Sequence, residues 1–209
     1  MKINGITISQ DNSKLGVIPS VSLPAGITCR KNAPCFGRGC YACKGNFNYA
    51  TIKAAYAENY AIYQQDAQTY FDTIVEFLSG GVVIYKYFRW HSAGDIPSLD
   101  YLRGMVDVAR RCPITKFLAF TKQFEIVNEY LAQGGKIPAN LRIVFSAWDK
   151  SFKVDNPYNL PVAYIEFCKA RAADTPTIPQ TAIPCGGNCS TCLGCWSLRL
   201  GGAVKFKQH

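Results

Sequence analysis

Eight of the ten cysteines in this chain of 209 residues fall into two compact groups, and thiols at such spacing could bind a metal ion or a cluster. The groups consist of Cys29, Cys35, Cys40 and Cys43, and of Cys185, Cys189, Cys192 and Cys195. Cys112 and Cys168 stand apart, and we expect them to be small buried apolar residues. The first ten residues, MKINGITISQ, contain no apolar secretory segment, so we expect a reducing compartment, where dense thiols are typical of metal or redox chemistry.

The spacing of the second group, C-x3-C-x2-C-x2-C, is more typical of an iron–sulfur cluster than of zinc. Two intervening residues let neighbouring thiolates converge, and Gly186, Gly187 and Gly194 permit the tight turns that this requires. The first group, C-x5-C-x4-C-x2-C, is looser but also contains glycines. Disulfide pairs, or one four-thiolate zinc site in each group, remain as alternatives.

The composition indicates a folded chain with a positive charge. Hydrophobic residues make up 48% and charged residues 18% of the sequence, which is enough apolar material for a substantial core. No apolar run is long enough to span a membrane. Lys and Arg exceed Asp and Glu by 23 to 14, and the net charge of +9 permits a nucleic acid or another anionic partner. Cations beside the cysteines would equally stabilise thiolates, so the charge does not decide between these interpretations.

Between the cysteine groups, segments with helical spacing alternate with short apolar segments typical of strands. Helices are predicted over 48–79, from Ser98 to Pro113 and over 124–132, and strands over 16–23, 82–88, 115–120, 141–145 and 162–167. Such alternation predicts parallel strands joined by right-handed crossovers. Five strands are too few for a closed eight-stranded barrel, so we predict an α/β fold with an open partial barrel over residues 1–169. Residues 170–209 are predicted to form an extended C-terminal segment that carries the second cysteine group.

The carboxyl ends of parallel strands gather at one edge of a sheet, where α/β proteins bind ligands. The first predicted strand leads into the first cysteine group and the second into His91, Gly94 and Asp95, while Lys122 follows the third and Ser146 ends the fourth. We predict that His91, Asp95 and Lys122 serve catalysis, in substrate binding or proton transfer. Gly94, Asp95 and Ser146 are predicted to contact a cofactor. The alternatives are a structural histidine, a carboxylate that supports the following helix, and a solvated lysine.

A cysteine loop directly after the first strand of a partial α/β barrel resembles the radical-SAM enzymes. The resemblance implies a [4Fe–4S] cluster on three cysteines, with S-adenosylmethionine on its open iron. The three ligands and a spare or substitute would be Cys29, Cys35, Cys40 and Cys43. Gly94 and Asp95 would occupy the place of the second-strand segment that contacts the methionine moiety. The usual C-x3-C-x2-C spacing of these enzymes is absent from this loop and occurs in the second group instead.

A set of further landmarks is distributed over nearly the whole chain. They are the segments NSKLGVIPSVSLPAGITC, GCYACKG, FRWHSAGDI, TKFLAFTK, IVFSAW and CSTCLGCW. Through these segments the chain resembles the gene product 88 family of small phage-encoded proteins. The resemblance implies a phage origin, a barrel that carries a cluster, and residence in the cytoplasm of an infected bacterium.

Three kinds of function are consistent with the sequence. The first is an iron–sulfur enzyme of radical-SAM-like architecture that acts on an unknown substrate, with the second cysteine group as an auxiliary or structural site. The second is a zinc- or cluster-stabilised protein that binds or processes nucleic acid. The third is a structural component of a phage, in which the metals brace the fold.

Overall fold

A computed structural model describes residues 1–10, 13–37, 39–81 and 83–208, and the strands in these ranges form one sheet. The strands are β1 Lys2–Ile3, β2 Ile6–Ser9, β3 Ser20–Val21, β4 Tyr87–Trp90, β5 Lys116–Thr121, β6 Leu141–Ala147, β7 Val162–Glu166, β8 Ile183–Pro184 and β9 Ala203–Lys207. The α-helices are α1 Ala50–Gln65, α2 Ala67–Ser79, α3 Leu99–Arg111, α4 Phe124–Ala132 and α5 Cys189–Cys192. None of the helices in the described ranges is long and apolar enough to cross a membrane.

The order of the strands across the sheet is β1-β2-β3-β4-β5-β6-β7-β9-β8. The first two pairings are antiparallel, and every pairing from β3 onwards is parallel. Parallel neighbours need a crossover, which α1 and α2 supply before β4, α3 before β5 and α4 before β6. The predicted α/β class with an open sheet of parallel strands is therefore confirmed, apart from the two antiparallel pairings, while the partial-barrel character is not. The predicted five strands become nine in the described residues, and no pairing there joins the edge strands β1 and β8 into a barrel.

Side-chain caps explain where the helices begin. The Ser98 hydroxyl accepts a hydrogen bond from the Tyr101 backbone N–H at 3.1 Å, so the predicted start of α3 is confirmed. The single helix predicted over 48–79 is wrong, because the chain breaks at Asp66 into α1 and α2. The Asp66 carboxylate accepts a hydrogen bond from the Thr69 N–H at 3.0 Å and thereby begins a new helix.

Three of the predicted strands are confirmed, with ends shifted by one or two residues, and these are β5, β6 and β7. The strand predicted over 82–88 begins only at Tyr87; Val83 and Ile84 are exposed instead of paired, and Val82 lies outside the described residues. The strand predicted over 16–23 shortens to β3. Pro19 directly precedes β3 and has no N–H to donate to a neighbouring strand.

The two faces of the sheet are covered by different parts of the chain. Helices α2, α3 and α4 bury their apolar residues against one face, together with the side chains of Phe88, Trp90 and Phe145. The opposite face carries Leu118 and Val144, which pack against Trp196, Leu198 and Val204 from the C-terminal segment. The segment 170–209 was predicted to be an extension. Instead it adds β8 and β9 to the sheet and covers the face that the helices leave free.

Candidate functional site

The loop that carries the first cysteine group lies at the carboxyl edge of the parallel strands. Cys29, Cys35 and Cys40 pack in one apolar cluster with Trp148 and Phe167, the residues that directly follow β6 and β7. The structure thus brings three of the predicted ligands to the end of the sheet where α/β proteins bind ligands. Cys43 follows in a short 3-10 turn, and its N–H donates to the Cys40 carbonyl at 3.0 Å.

Asp95 ties this loop to the neighbouring strand ends. Its buried carboxylate accepts hydrogen bonds from the Thr121 hydroxyl at 2.6 Å, the Ile96 N–H at 2.8 Å and the Lys122 N–H at 2.9 Å. Its own N–H donates to the Thr28 hydroxyl, one residue before Cys29, at 3.1 Å. Burial raises the pKa of Asp95, and the hydrogen bonds act in the opposite direction. Through its carboxylate and its N–H together, Asp95 therefore joins three chain segments.

Gly94 allows the two loops to approach closely. Its φ of +78° is a conformation that favours glycine, and a Cβ atom there would lie 2.6 Å from both the Leu23 carbonyl oxygen and the Thr28 hydroxyl. The face of Gly94 that a side chain would occupy is filled by the chain that leads to Cys29. The structure assigns it a contact between loops, and its predicted role in cofactor binding stays a prediction.

The thiols of the first group have different acidities. The hydrogen bond from the Cys40 thiol lowers the pKa of Cys35 to about 6, and the same bond raises the pKa of Cys40. Burial raises the pKa of Cys29 to about 11. The cation of Lys122 lowers the pKa of both Cys29 and Cys35, and its Nζ atom lies 5.7 Å from the centre of the Trp148 ring. The hydrogen bond from Cys40 therefore favours the thiolate form of Cys35.

An open, polar pocket lies beside Cys29. Its volume is about 540 Å³, within the range of small-molecule sites, and Arg30, Lys31, Asn32 and Phe36 contribute to its walls. Arg30 is fixed by an ion pair with Glu125. A ligand that reached the cysteine loop through this pocket would meet positive charge at its entrance.

His91 lies in the aromatic core beneath α3 rather than in an open loop. Its side chain is 2% exposed, its Nε2 atom lies 3.0 Å from the Tyr101 hydroxyl, and its Nδ1 atom has no partner among the described residues. Burial, with a smaller contribution from the nearby Arg89, lowers the pKa of His91 to about 3, so the ring is neutral at pH 7. This environment is typical of a structural histidine. The predicted catalytic role of His91 stays a prediction.

Ser146, predicted to contact a cofactor, lies inside β6 and not in the loop after it. It pairs with Ala163 of β7 and is half-buried. Alternation along the strand places it on the same face as Val144, opposite the helices.

The second cysteine group lies on that same face of the sheet. All four of its cysteines border one pocket with Arg89, Phe120 and Trp196. Burial raises the pKa of Cys189, and it raises the pKa of Cys195 to about 12. Arg89, which borders the same pocket, acts in the opposite direction and lowers the pKa of both thiols.

From the sequence, Arg89 is a cation near a strand end that could hold an anion, although a cation in such a place is more often solvated. The position of Arg89 follows from the alternation of side chains along β4. Phe88 and Trp90 lie in the helix-covered core, so Arg89 between them lies on the opposite face. A charged residue in the middle of an apolar strand was a sign that this face holds something polar.

In the ranges that the structure describes, no group of three or more His, Cys, Asp or Glu side chains is arranged as it would have to be to hold a metal ion. Cys29, Cys35 and Cys40 nevertheless share one apolar cluster, and the four cysteines of the second group border one pocket. The cysteines of both groups are free thiols, and no disulfide bond joins any of them.

Comparison with known proteins identifies a family but no individual relative. A family model described as "Gene product 88" matches residues 3–197. No curated protein and no solved structure matches the chain.

Proposed function

The chain belongs to the gene product 88 family, a family of phage gene products, and we propose that it is an iron–sulfur protein whose first cysteine group binds the cluster. The observation that carries the proposal is the position of Cys29, Cys35 and Cys40 together at the carboxyl edge of a parallel sheet. A thiol-rich loop at this edge, beside an open pocket, has the place that a reactive centre occupies in α/β enzymes.

The donor set of this loop fits a cluster, although its thiols must first move together. Three thiols lie in one cluster of side chains, and the lowered pKa of Cys35 favours the thiolate that iron requires. In the described part of residues 28–44 the chain forms turns and one 3-10 helix, with no strand or α-helix to resist such a movement. During such a movement, the hydrogen bonds of Asp95 with Thr28 and Lys122 would keep the base of the loop in place.

A bound [4Fe–4S] cluster would supply one-electron chemistry, and with S-adenosylmethionine it would supply radical chemistry. The residues of the chain have separate tasks around it. Cys29, Cys35 and Cys40 hold the iron, and Trp148 keeps one side of the loop dry. The Lys122 cation offsets the negative charge of the thiolates. The radical-SAM-like reaction is the finer part of the proposal.

Iron and sulfide analysis after anaerobic purification tests the cluster. We expect about four iron and about four sulfide ions per chain from the first group, and their loss in the triple variant C29S/C35S/C40S. C168S is the matched control, because Cys168 is an exposed thiol outside both groups. Iron without sulfide, or an unchanged iron content in the triple variant, would contradict the proposal.

A second assay tests the finer part. The iron-loaded protein is mixed with S-adenosylmethionine and dithionite, which supplies the electron, and methionine and 5′-deoxyadenosine are measured. Their formation, abolished in C29S/C35S/C40S, is the expected result. A cluster that forms without this cleavage would leave an iron–sulfur protein of another kind.

A further inference from the structure

Arg89 is a buried cation without a buried anion beside it. Its side chain is 9% exposed, and its guanidinium carbon lies 4.4 Å from the centre of the Phe120 ring. Its Nε atom donates to the Trp90 carbonyl at 3.0 Å, and its Nη2 atom to the His91 carbonyl at 3.4 Å. No carboxylate forms an ion pair with it in the described parts of the chain. An uncompensated charge in such a place is strongly destabilising, so an anion is expected nearby.

The pocket that Arg89 borders is walled by the second cysteine group. The four thiols come from Cys185, Cys189, Cys192 and Cys195, and the remaining walls include Leu118, Ile183 and Phe206. Among these neighbours only the thiols can become negative, and Lys14 is a second cation at the pocket.

Trp196, a residue at the edge of this pocket, carries a second donor that lacks an acceptor. Trp196 borders the pocket and is 6% exposed, and its buried Nε1–H has no hydrogen-bond partner among the described residues. Buried donors are nearly always paired in folded proteins, and sulfur ligands of metal centres accept hydrogen bonds from N–H groups. Independently of Arg89, Trp196 therefore points to an electron-rich group between these residues.

We propose that Cys185, Cys189, Cys192 and Cys195 bind a single divalent metal ion as a four-thiolate site, with Arg89 balancing its charge. Binding releases the four thiol protons, so that four negative sulfurs and one doubly positive ion leave a net charge of −2 on the centre. The guanidinium group offsets one of these charges in a pocket whose other walls are largely apolar. Trp196 donates its N–H to one of the sulfurs.

The size of the pocket favours one ion over a cluster. The space between these side chains is about 30 Å³, more than the roughly 10–15 Å³ that one water-sized sphere needs, whereas a cubane of eight atoms would require the walls to move much farther apart. The spacing of these cysteines favours iron–sulfur chemistry, but the small cavity favours zinc, which structural four-cysteine sites bind in tetrahedral form. The four sulfur atoms would have to converge on the ion, because the described residues contain no preformed metal-binding group.

The backbone around the cysteines is anchored at two points, one in the sheet and one in the turn that precedes β3. The Cys185 N–H donates to the Lys205 carbonyl of β9 at 2.9 Å, and the Cys189 N–H donates to the Lys14 carbonyl at 2.8 Å. The ion would thus fasten the segment between β8 and β9 over the sheet face. The site uses none of the cysteines of the proposed cluster, so it can be tested separately from the proposed function.

Metal analysis of the full chain in the C29S/C35S/C40S background tests the ion without interference from the first group. We expect one zinc per chain and no sulfide, and, after exchange to cobalt(II), the intense sulfur-to-metal absorption of a four-thiolate site. The further change C185S/C189S/C192S/C195S should abolish both. A chain that binds no divalent metal, or that holds iron with sulfide at the second group, would overturn the proposal.

Arg89→Met tests the charge, with Arg89→Lys as the conservative variant. We expect R89M to weaken zinc affinity, measured by competition with a chromogenic chelator, by about 10–100-fold, as loss of a supporting neighbour of metal ligands does. R89K should recover most of this loss, and W196F should weaken binding by a smaller factor. Arg142→Met is the matched control, because Arg142 lies in β6 but not at the pocket. Equal zinc affinity of R89M and R142M, both folded by circular dichroism, would refute the role of Arg89.

Discussion

At the scale of single residues, Asp95 and His91 show how polar groups become buried at the end of a strand. Each lies in the loop after β4, and each is held by neighbours that were not evident from the chain order: Thr121 and Lys122 for Asp95, and Tyr101 for His91. The hydrogen bonds of Asp95 place a full set of donors around one carboxylate. The burial of His91 leaves it neutral.

Asp95→Asn is expected to lower the free energy of unfolding by about 1–3 kcal/mol, because one carboxylate oxygen becomes an NH2 group that faces a donor. Asp107→Asn is the control: Asp107 is exposed, its ion pair with Arg111 lies at the surface, and its loss should cost less than about 1 kcal/mol. Urea unfolding followed by circular dichroism measures both. Equal effects of the two changes would show that the network around Asp95 does not hold the loop.

His91 makes stability depend on pH in a defined direction. Its pKa is lowered to about 3 in the folded chain, whereas the unfolded chain has an ordinary histidine near 6.5. Below pH 6.5 the histidine is protonated in the unfolded state and stays neutral in the folded state. The free energy of unfolding therefore decreases as the pH falls, by up to about 1.4 kcal/mol per pH unit. Asn tolerates the positive φ of 58° at this position and does not titrate.

The prediction is that His91→Asn has a shallower loss of stability than the native chain between pH 6.5 and pH 4.5. Urea unfolding at several pH values gives the two slopes, and subtraction removes the contribution of the carboxylates, which both chains share. Identical slopes would mean that His91 becomes protonated without unfolding.

The sequence was sufficient to find the polar residues at the strand ends but not to assign their tasks. Chain order showed that His91, Asp95 and Lys122 follow parallel strands, and the structure does bring Asp95 and Lys122 together. It could not show that the donors around Asp95 come from a strand separated from it by a whole helix. The sequence indicated that Arg89 could hold an anion but not that it lies beside the second cysteine group, because that position depends on which segment covers the second face of the sheet.

At the scale of elements, the approach of the cysteine loop to the loop after β4 depends on one glycine. Gly94→Ala places a Cβ atom 2.6 Å from two oxygen atoms and also imposes a positive φ on alanine. Gly134→Ala is a matched control, because its φ is +81° but nothing lies within 4 Å of its Cβ position. Because both variants impose a positive φ on alanine, the difference between their free energies of unfolding measures the cost of the close approach at Gly94 alone.

We expect Gly134→Ala to cost about 1 kcal/mol and Gly94→Ala at least about 2 kcal/mol more, measured by urea unfolding. G94A should also lose iron from the first cysteine group, since the loop base is displaced. Equal destabilisation of the two variants would show that the loops separate without cost.

Elements with local signals were predictable and elements without them were not. Ser98 and the apolar spacing after it identified α3, and the apolar runs of β5 to β7 identified the central strands. Asp66 is a residue type that commonly caps helices, but it lies within a long helical pattern that favours one continuous helix. β9 follows a glycine pair and alternates weakly, so its membership in the sheet is decided by its pairing with β7, a contact between distant parts of the chain.

At the scale of the whole molecule, the C-terminal segment is part of the fold. A chain cut after residue 169 would lose β8, β9 and the apolar side chains that cover Leu118 and Val144. We expect it to lack cooperative unfolding and to aggregate, because a sheet with one bare apolar face is not stable in water. A truncated chain with a sharp thermal transition and native circular dichroism would contradict this and would support the domain boundary predicted at 169.

The unequal covering of the sheet has a consequence for biosynthesis. Ribosomes release the chain from its amino end at about 5–20 residues per second, so the helix-covered face can assemble while the ribosome still holds the rest. The other face, with Leu118 and Val144, waits for Trp196, Leu198 and Val204 to emerge. During that interval the nascent chain presents an apolar sheet surface with an unpaired strand beside it, which is the kind of surface that host chaperones bind. Metal binding by the second cysteine group, as proposed above, would then coincide with the moment when the nascent sheet is closed off from water.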